Sequence, residues 1–292
     1  SNKDVLLYLK TSFRKEGKYS YKLIYNDNMK SDQQHTDRSR TKNSVLYKYL
    51  DIEGAKMMLS NRTLQFTNAM QFNDPFDCDP NLIDFSKVPY ERCKTWTSDI
   101  IESLAFDQYR KNREDVWVCC LSKVFDSLLM WAYYNNHRGV CIGLNMEKVA
   151  KYFDASLGQI VDKHAHEVQY RDIIEKPDYF QNEEDFFHYQ MCTKAKVWEH
   201  EQEARMFIFN PFPWIMLPDP NNKSDLVDWK EVRAFPRIGG ECFESIYFGV
   251  NINEKESGLI KIAKKLNPDI KVYQMEKNTN AFKLDAIHIN DE

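Results

Sequence analysis

Residues 198–209 read W-E-H-E-Q-E-A-R-M-F-I-F, so three glutamates at alternate positions lead directly into an apolar run. The run is short, aromatic and apolar, as expected of a buried strand at 204–209. In an extended chain, side chains alternate between faces. Glu199, Glu201, Glu203 and Arg205 would then share one face, and Trp198, His200, Gln202 and Ala204 the other. Carboxylates side by side repel unless a cation, a ligand or water separates them. The stretch is a solvated edge, a strand salt-bridged through Lys194, Lys196 and Arg205, or a site whose glutamate pKa values are pushed apart.

The elements around this strand are short and mixed. Strands are expected at 46–49, 63–67, 116–121, 140–144, 167–170, 245–250 and 270–275. A helix capped by Asp51 is expected to run to about 61, with Ala55, Met58 and Leu59 on its apolar face. Further helices are expected over 89–113, 183–197 and 254–266, and over 126–137, where Gly139 is the expected stop. Residues 68–80 form a turn-rich loop, and the four prolines of 210–224 require an irregular excursion. There is no internal repeat, no regular βαβ rhythm, no G-x-G-x-x-G and no P-loop, which points to an α+β fold with mixed or antiparallel central sheets and flanking helices. Residues 1–44 form an N-terminal accessory segment and polar linker, and 45–292 a single α+β domain.

Two further constellations carry chemistry-bearing side chains. In F-N-D-P-F-D, 72–77, the Asn-Asp-Pro core sets a turn. It is either a structural loop anchored by Phe72 and Phe76, or a rigid loop in which Asn73, Asp74 and Asp77 face a ligand. Trp131, Tyr134 and His137 recur at a spacing that places them near one helical face, either as core or as a pocket wall beyond Ser122, which ends its strand. His164-x-His166 has no obvious third ligand and no H-E-x-x-H occurs, so no metal site is expected.

Bulk properties exclude some classes. Lys+Arg 40 against Asp+Glu 44 gives a net charge of −4, which argues against a broad basic nucleic-acid surface. No window approaches ~18 consecutive apolar residues, so no membrane span is expected. The start of the chain lacks a signal-peptide pattern. The 7 cysteines include no C-x-x-C pair, which fits thiols in a reducing cytoplasm.

Taken together, L-Y-K-Y (46–49), L-x-F-T…F-N-D-P-F-D (64–77), C-L-S (120–122), M-W-x-x-Y-x-x-x-H-x-G-V-C-I (130–142), K-x-x-x-W-x-x-E-x-E-x-R (194–205) and I-Y-F-G (246–249) resemble the bacterial and phage domain-of-unknown-function family 2971. That family is in turn similar to the ADP-ribosyltransferase superfamily. Its members carry a polar or aromatic residue on a short first strand, a Ser at the end of a second, and a catalytic Glu, often as E-x-E, on a late strand. The resemblance implies an ADP-ribosyltransferase-like enzyme consuming NAD as substrate, of the kind found among toxins and phage-defence effectors. Glu203 would be its catalytic residue and Glu201 the partner on the acceptor side, the acceptor being a macromolecule or small molecule that the sequence does not specify. Tyr47, Lys48, Tyr49, Ser122, Trp131, Tyr134, His137 and Arg205 would surround NAD. The sequence departs from the superfamily pattern in having Y-K-Y for the first motif and no S-T-S triplet.

Two other functions compete. A metal-dependent nuclease or hydrolase would gather Asp74, Asp77, Glu201 and Glu203 around Mg²⁺; Arg205 stands where a catalytic lysine would favour that chemistry. A non-catalytic sensor or binding module would instead pair the glutamates and Arg205 completely.

Overall fold

A computed structural model describes residues 40–42, 44–89, 97–156, 161–181, 185–209, 232–252 and 258–289, and the backbone of 227–230. Positions 1–39 and the proline-rich 210–224 lie outside the described residues, and with them the expected accessory segment and excursion. The described fold belongs to the unit Ser39–Glu292.

Its elements, in chain order, are β1 (Val45–Leu50), α1 (Ile52–Asn61), β2 (Phe66–Asn68), α2 (Ser98–Asp115), β3 (Val116–Ser122), α3 (Leu128–Asn135), β4 (Val140–Asn145), α4 (Met146–Ser156), β5 (His166–Glu167), β6 (Gln169–Arg171), α5 (Phe186–Met191), β7 (Thr193–Ala195), β8 (Glu203–Phe209), β9 (Val227–Lys230), β10 (Arg233–Pro236), β11 (Phe243–Phe248), α6 (Leu259–Leu266), β12 (Lys271–Lys277) and β13 (Leu284–His288). Helix starts follow local capping chemistry. The Asp51 carboxylate accepts the Gly54 amide at 2.6 Å ahead of α1, and Ser127 accepts from Met130 ahead of α3.

The main sheet has the order β13-β12-β11-β4-β1-β3-β2-β10-β9, with β8 pairing β3 and β5 pairing β8. Among the described residues, only β11 and β12 run parallel in it, so the chain is α+β with a mixed, largely antiparallel sheet. Strands β6 and β7 form a separate parallel pair. On one face, Leu46, Ile142, Leu144, Met206 and Ile208 join Leu59 of α1, Phe153 of α4 and Ala263 of α6 in the main core. The other face packs Val116, Val118 and Phe207 against Met191 of α5, and Tyr49, Cys141 and Tyr247 against Trp131 of α3. A strand covered on both faces reads as a continuous apolar run, which is why M-F-I-F lacks alternation.

The expected helix over 183–197 is corrected. Among the described residues of that stretch, only Phe186–Met191 is α-helical; Thr193–Ala195 pairs with β6, and Lys196–Glu201 forms a 3₁₀ turn. Strand pairing has overridden local helical pattern there. The expected strand at 63–67 shrinks to Phe66–Asn68, and α4, β9, β10 and β13 lie where no element was expected. Gly139 does not stop α3. The left-handed residue is Asn136, at φ 51°, while a Cβ on Gly139 would lie 2.1 Å from the Leu50 carbonyl oxygen. That glycine lets two backbones touch. Gly139→Ala is expected to lower unfolding free energy by about 1–3 kcal/mol, read from chemical denaturation, because backbone must move to admit the methyl.

Candidate functional site

Strand alternation reaches back only to Glu203. The 3₁₀ turn Lys196–Glu201 ends at Gln202, which adopts φ 43° and donates its amide to the Glu199 carbonyl. The expectation of one extended face from Glu199 to Arg205 is therefore corrected. Glu203 and Arg205 share a face of β8, whereas Glu201 arrives from the preceding turn and Glu199 is exposed.

These residues form a buried ionic network. The Arg205 guanidinium, 0% exposed, holds Asp77 through two 2.7 Å bonds and Glu203 through bonds of 2.8 and 3.0 Å. It also donates to the Met191 carbonyl at 2.7 Å, at the end of α5. Lys194 on β7 supplies the second cation, 2.6 Å from Glu201 and 3.1 Å from Glu203. The exposed Tyr134 donates its hydroxyl to the other oxygen of Glu201, at 2.9 Å. Bidentate geometry and complete pairing are what permit charges in such a place.

Burial works against ionisation of Glu203, but Arg205 and Lys194 outweigh it and hold its carboxyl well below the usual carboxylate range. Burial likewise opposes the charge on Lys194, and Glu203 and the other carboxylates raise its pKa regardless. Desolvation, reinforced by Glu201, pushes the Tyr134 phenol up, so it stays a donor. Glu203 is thus a fixed negative charge.

The other expected site residues divide. Tyr47 of β1 lies opposite Ser122 of β3, and Ser122 opposite Glu203 of β8, so the three stand in one row across three strands. Opposed residues in antiparallel strands point to the same face. Ser122 donates to the Glu201 backbone carbonyl at 2.8 Å, tying the turn to the row. Beside Tyr47 lie Phe125 and Tyr247, with Tyr247 stacked on Phe125 at 4.5 Å and on Tyr273 at 4.8 Å. Lys48 points to the opposite face from Tyr47 and donates to the Cys120 carbonyl at 2.8 Å. Tyr49 and Trp131 meet edge to face at 5.3 Å inside the core, with Trp131 0% exposed, so its ring faces are already covered.

The expected helical face of Trp131, Tyr134 and His137 is corrected: α3 ends at Asn135, and His137 follows the cap at φ 57°. In the 72–77 loop, Asn73 is exposed and Asp74 accepts the Phe76 amide at 2.9 Å. Asp77 turns inward to Arg205, and Phe76 is exposed rather than anchored. Tyr170, which no sequence pattern singled out, accepts the Glu203 amide at 2.8 Å. His166 meets Asp162 at 2.7 Å and lies against His188, ring centroids 4.0 Å apart and planes tilted by 38°, where sequence spacing offered no third ligand. A surface cleft of about 580 Å³ lies elsewhere, lined by residues including Asp84, Phe85, Glu102 and Phe106 and by none of the expected site residues.

Replacing Arg205 by Met leaves buried carboxylates without their main partner, with an expected loss of about 3–5 kcal/mol in urea unfolding. Exposed Glu199→Gln should stay within about 0.5 kcal/mol of the parent. Because the folded pKa of Glu203 is depressed, its stabilisation is complete above the ordinary carboxylate range and is lost as pH falls below it. Glu203→Gln should flatten that acid limb, read from unfolding midpoints across pH. Among proteins of known sequence, the family model described as "Protein of unknown function (DUF2971)" matches residues 130–206. No curated protein and no solved structure matches. Over the matched stretch, which holds Trp131, Tyr134, His137, Glu201, Glu203 and Arg205, the chain is similar to that family of unknown function.

Proposed function

We propose that the protein is an NAD-consuming, ADP-ribosyltransferase-like enzyme whose reaction centre is the row Tyr47–Ser122–Glu203. The observation that carries this reading is the register: residues at the three positions implied by the superfamily resemblance stand side by side on one sheet face. Cleavage of the N-glycosidic bond of NAD develops positive charge on the ribose, and a fixed carboxylate stabilises it. Glu203, held ionised by Arg205 and Lys194, is suited to that role and not to taking a proton. Glu201, bonded to the exposed Tyr134, is the acceptor-side carboxylate. The half-buried rings of Tyr47 and Phe125 offer stacking surfaces for nicotinamide or adenine, whereas Tyr247 is already stacked between Phe125 and Tyr273. Glu201 and Glu203 are 4% and 3% exposed, so side chains around them must move before a ligand reaches them, and Tyr134, bonded to Glu201, is one of these.

The pairing of Asp77, Glu203 and Arg205 favours a second reading, a binding module whose network is purely structural. Nicotinamide release from NAD, measured with and without cell lysate, separates the two. The parent is expected to turn over NAD, and Glu203→Gln to lose about 10²–10³-fold. Tyr47→Ala, outside the ionic network, should lose turnover; because its ring packs on Phe125 and Tyr247, a lower unfolding midpoint is expected too, and circular dichroism at the assay temperature checks that the variant is folded. No nicotinamide release by the folded parent under either condition, or full activity in Glu203→Gln, would leave the binding module as the remaining reading.

A further inference from the structure

We propose that Asp162, His166 and His188 bind one divalent transition-metal ion of the zinc class, through the Asp162 carboxylate and the Nε2 atoms of both histidines. This inference is independent of the NAD reading. Their candidate ligand atoms all lie within 4.8 Å of one another. His166 Nε2 is 2.7 Å and His188 Nε2 3.9 Å from the same oxygen, Asp162 Oδ2. Four-coordinate zinc with bonds of about 2.0–2.1 Å spaces its ligand atoms roughly 3.3 Å apart. The carboxylate therefore has to part slightly from His166 and approach His188, movements of well under about 1 Å.

The surroundings of His188 distinguish this cluster from an ordinary hydrogen-bonded histidine. Its Nδ1 is 2.5 Å from Asp185 Oδ2, and Asp185 also accepts the His188 amide at 3.1 Å ahead of α5. A carboxylate on one ring nitrogen fixes the tautomer and makes the other a better metal donor. That other atom, Nε2, is buried and has no hydrogen-bond partner. On the opposite side, the Asp162 Oδ1 atom accepts the His164 amide at 3.0 Å, leaving Oδ2 directed at the histidines. The rings of His166 and His188 lie against each other, centroids 4.0 Å apart and planes tilted by 38°, with their donor atoms within 4.8 Å of each other and of the carboxylate.

Two imidazoles and one carboxylate suit zinc or cobalt rather than magnesium or calcium, which prefer all-oxygen shells. The ion would tie α5 to the segment entering β5, and α5 ends at the Met191 carbonyl that holds Arg205.

The full chain, freed of metal with a chelator, is titrated with Co²⁺ and then Zn²⁺. One equivalent of Co²⁺ should give visible d–d absorption that Zn²⁺ abolishes, and Zn²⁺ should raise the thermal midpoint. His188→Ala should weaken Zn²⁺ binding at least 100-fold, and the milder Asp185→Asn by about 10–100-fold. His200→Ala should bind like the parent. Circular dichroism establishes that each variant is folded. If His188→Ala does not fold, Asp185→Asn decides. The proposal falls if the parent takes up no equivalent of Co²⁺ or Zn²⁺, if the folded variants bind as tightly as the parent, or if Mg²⁺ is bound in preference.

Discussion

The Arg205 guanidinium is the point on which this part of the fold depends. A fully buried cation is tolerable only where every donor finds an acceptor, and Arg205 meets Asp77, Glu203 and the Met191 carbonyl. Each acceptor belongs to a different element: the loop after β2, strand β8 itself, and the end of α5. Phe72 completes the enclosure, with its ring 5.3 Å from the guanidinium carbon. One side chain therefore fixes how a loop, a strand and a helix meet. The shape of the 72–79 loop, including the left-handed Cys78 at φ 58°, follows from carrying Asp77 inward.

Lys194 extends the same logic towards the surface. It reaches Glu201 and Glu203 because β7 turns into the 3₁₀ segment rather than continuing as a helix. Three carboxylates facing two cations leave a formal excess of negative charge, and the Tyr134 hydroxyl donates to one of them, Glu201, while Ser122 and Tyr170 bond the Glu201 carbonyl and the Glu203 amide of the backbone. The low effective dielectric of such a place strengthens every one of these contacts, and also the cost of losing one.

Some of this was legible in the sequence. The common face of Glu203 and Arg205 follows from period-two alternation, and the α1 cap and buried face follow from Asp51 and the spacing of Ala55, Met58 and Leu59. The α+β class followed from the mixed element order. What alternation could not give is where it starts: Gln202 adopts a left-handed conformation without being glycine, so nothing local marks the break before β8. Trp131 was ambiguous for a different reason, since an aromatic residue at helical spacing serves a core or a pocket equally well, and only tertiary packing separates the two. Asp162, His166 and His188 come from a loop, a strand and a helix, and no spacing rule links such elements.

The electrostatics of the row limit the chemistry open to it. A general base near neutral pH needs a pKa near its working pH, and Glu203 is driven in the opposite direction by two cations. Tyr134 is driven up and stays protonated, so it donates to Glu201 rather than accepting from an attacking group. Any reaction at the row must then use Glu203 as standing charge and obtain its nucleophile already competent, or deprotonated elsewhere. A leaving group that departs with the electrons of its bond and leaves a cationic carbon behind matches that arrangement. Hydrolysis that begins with proton removal from water by Glu203 does not.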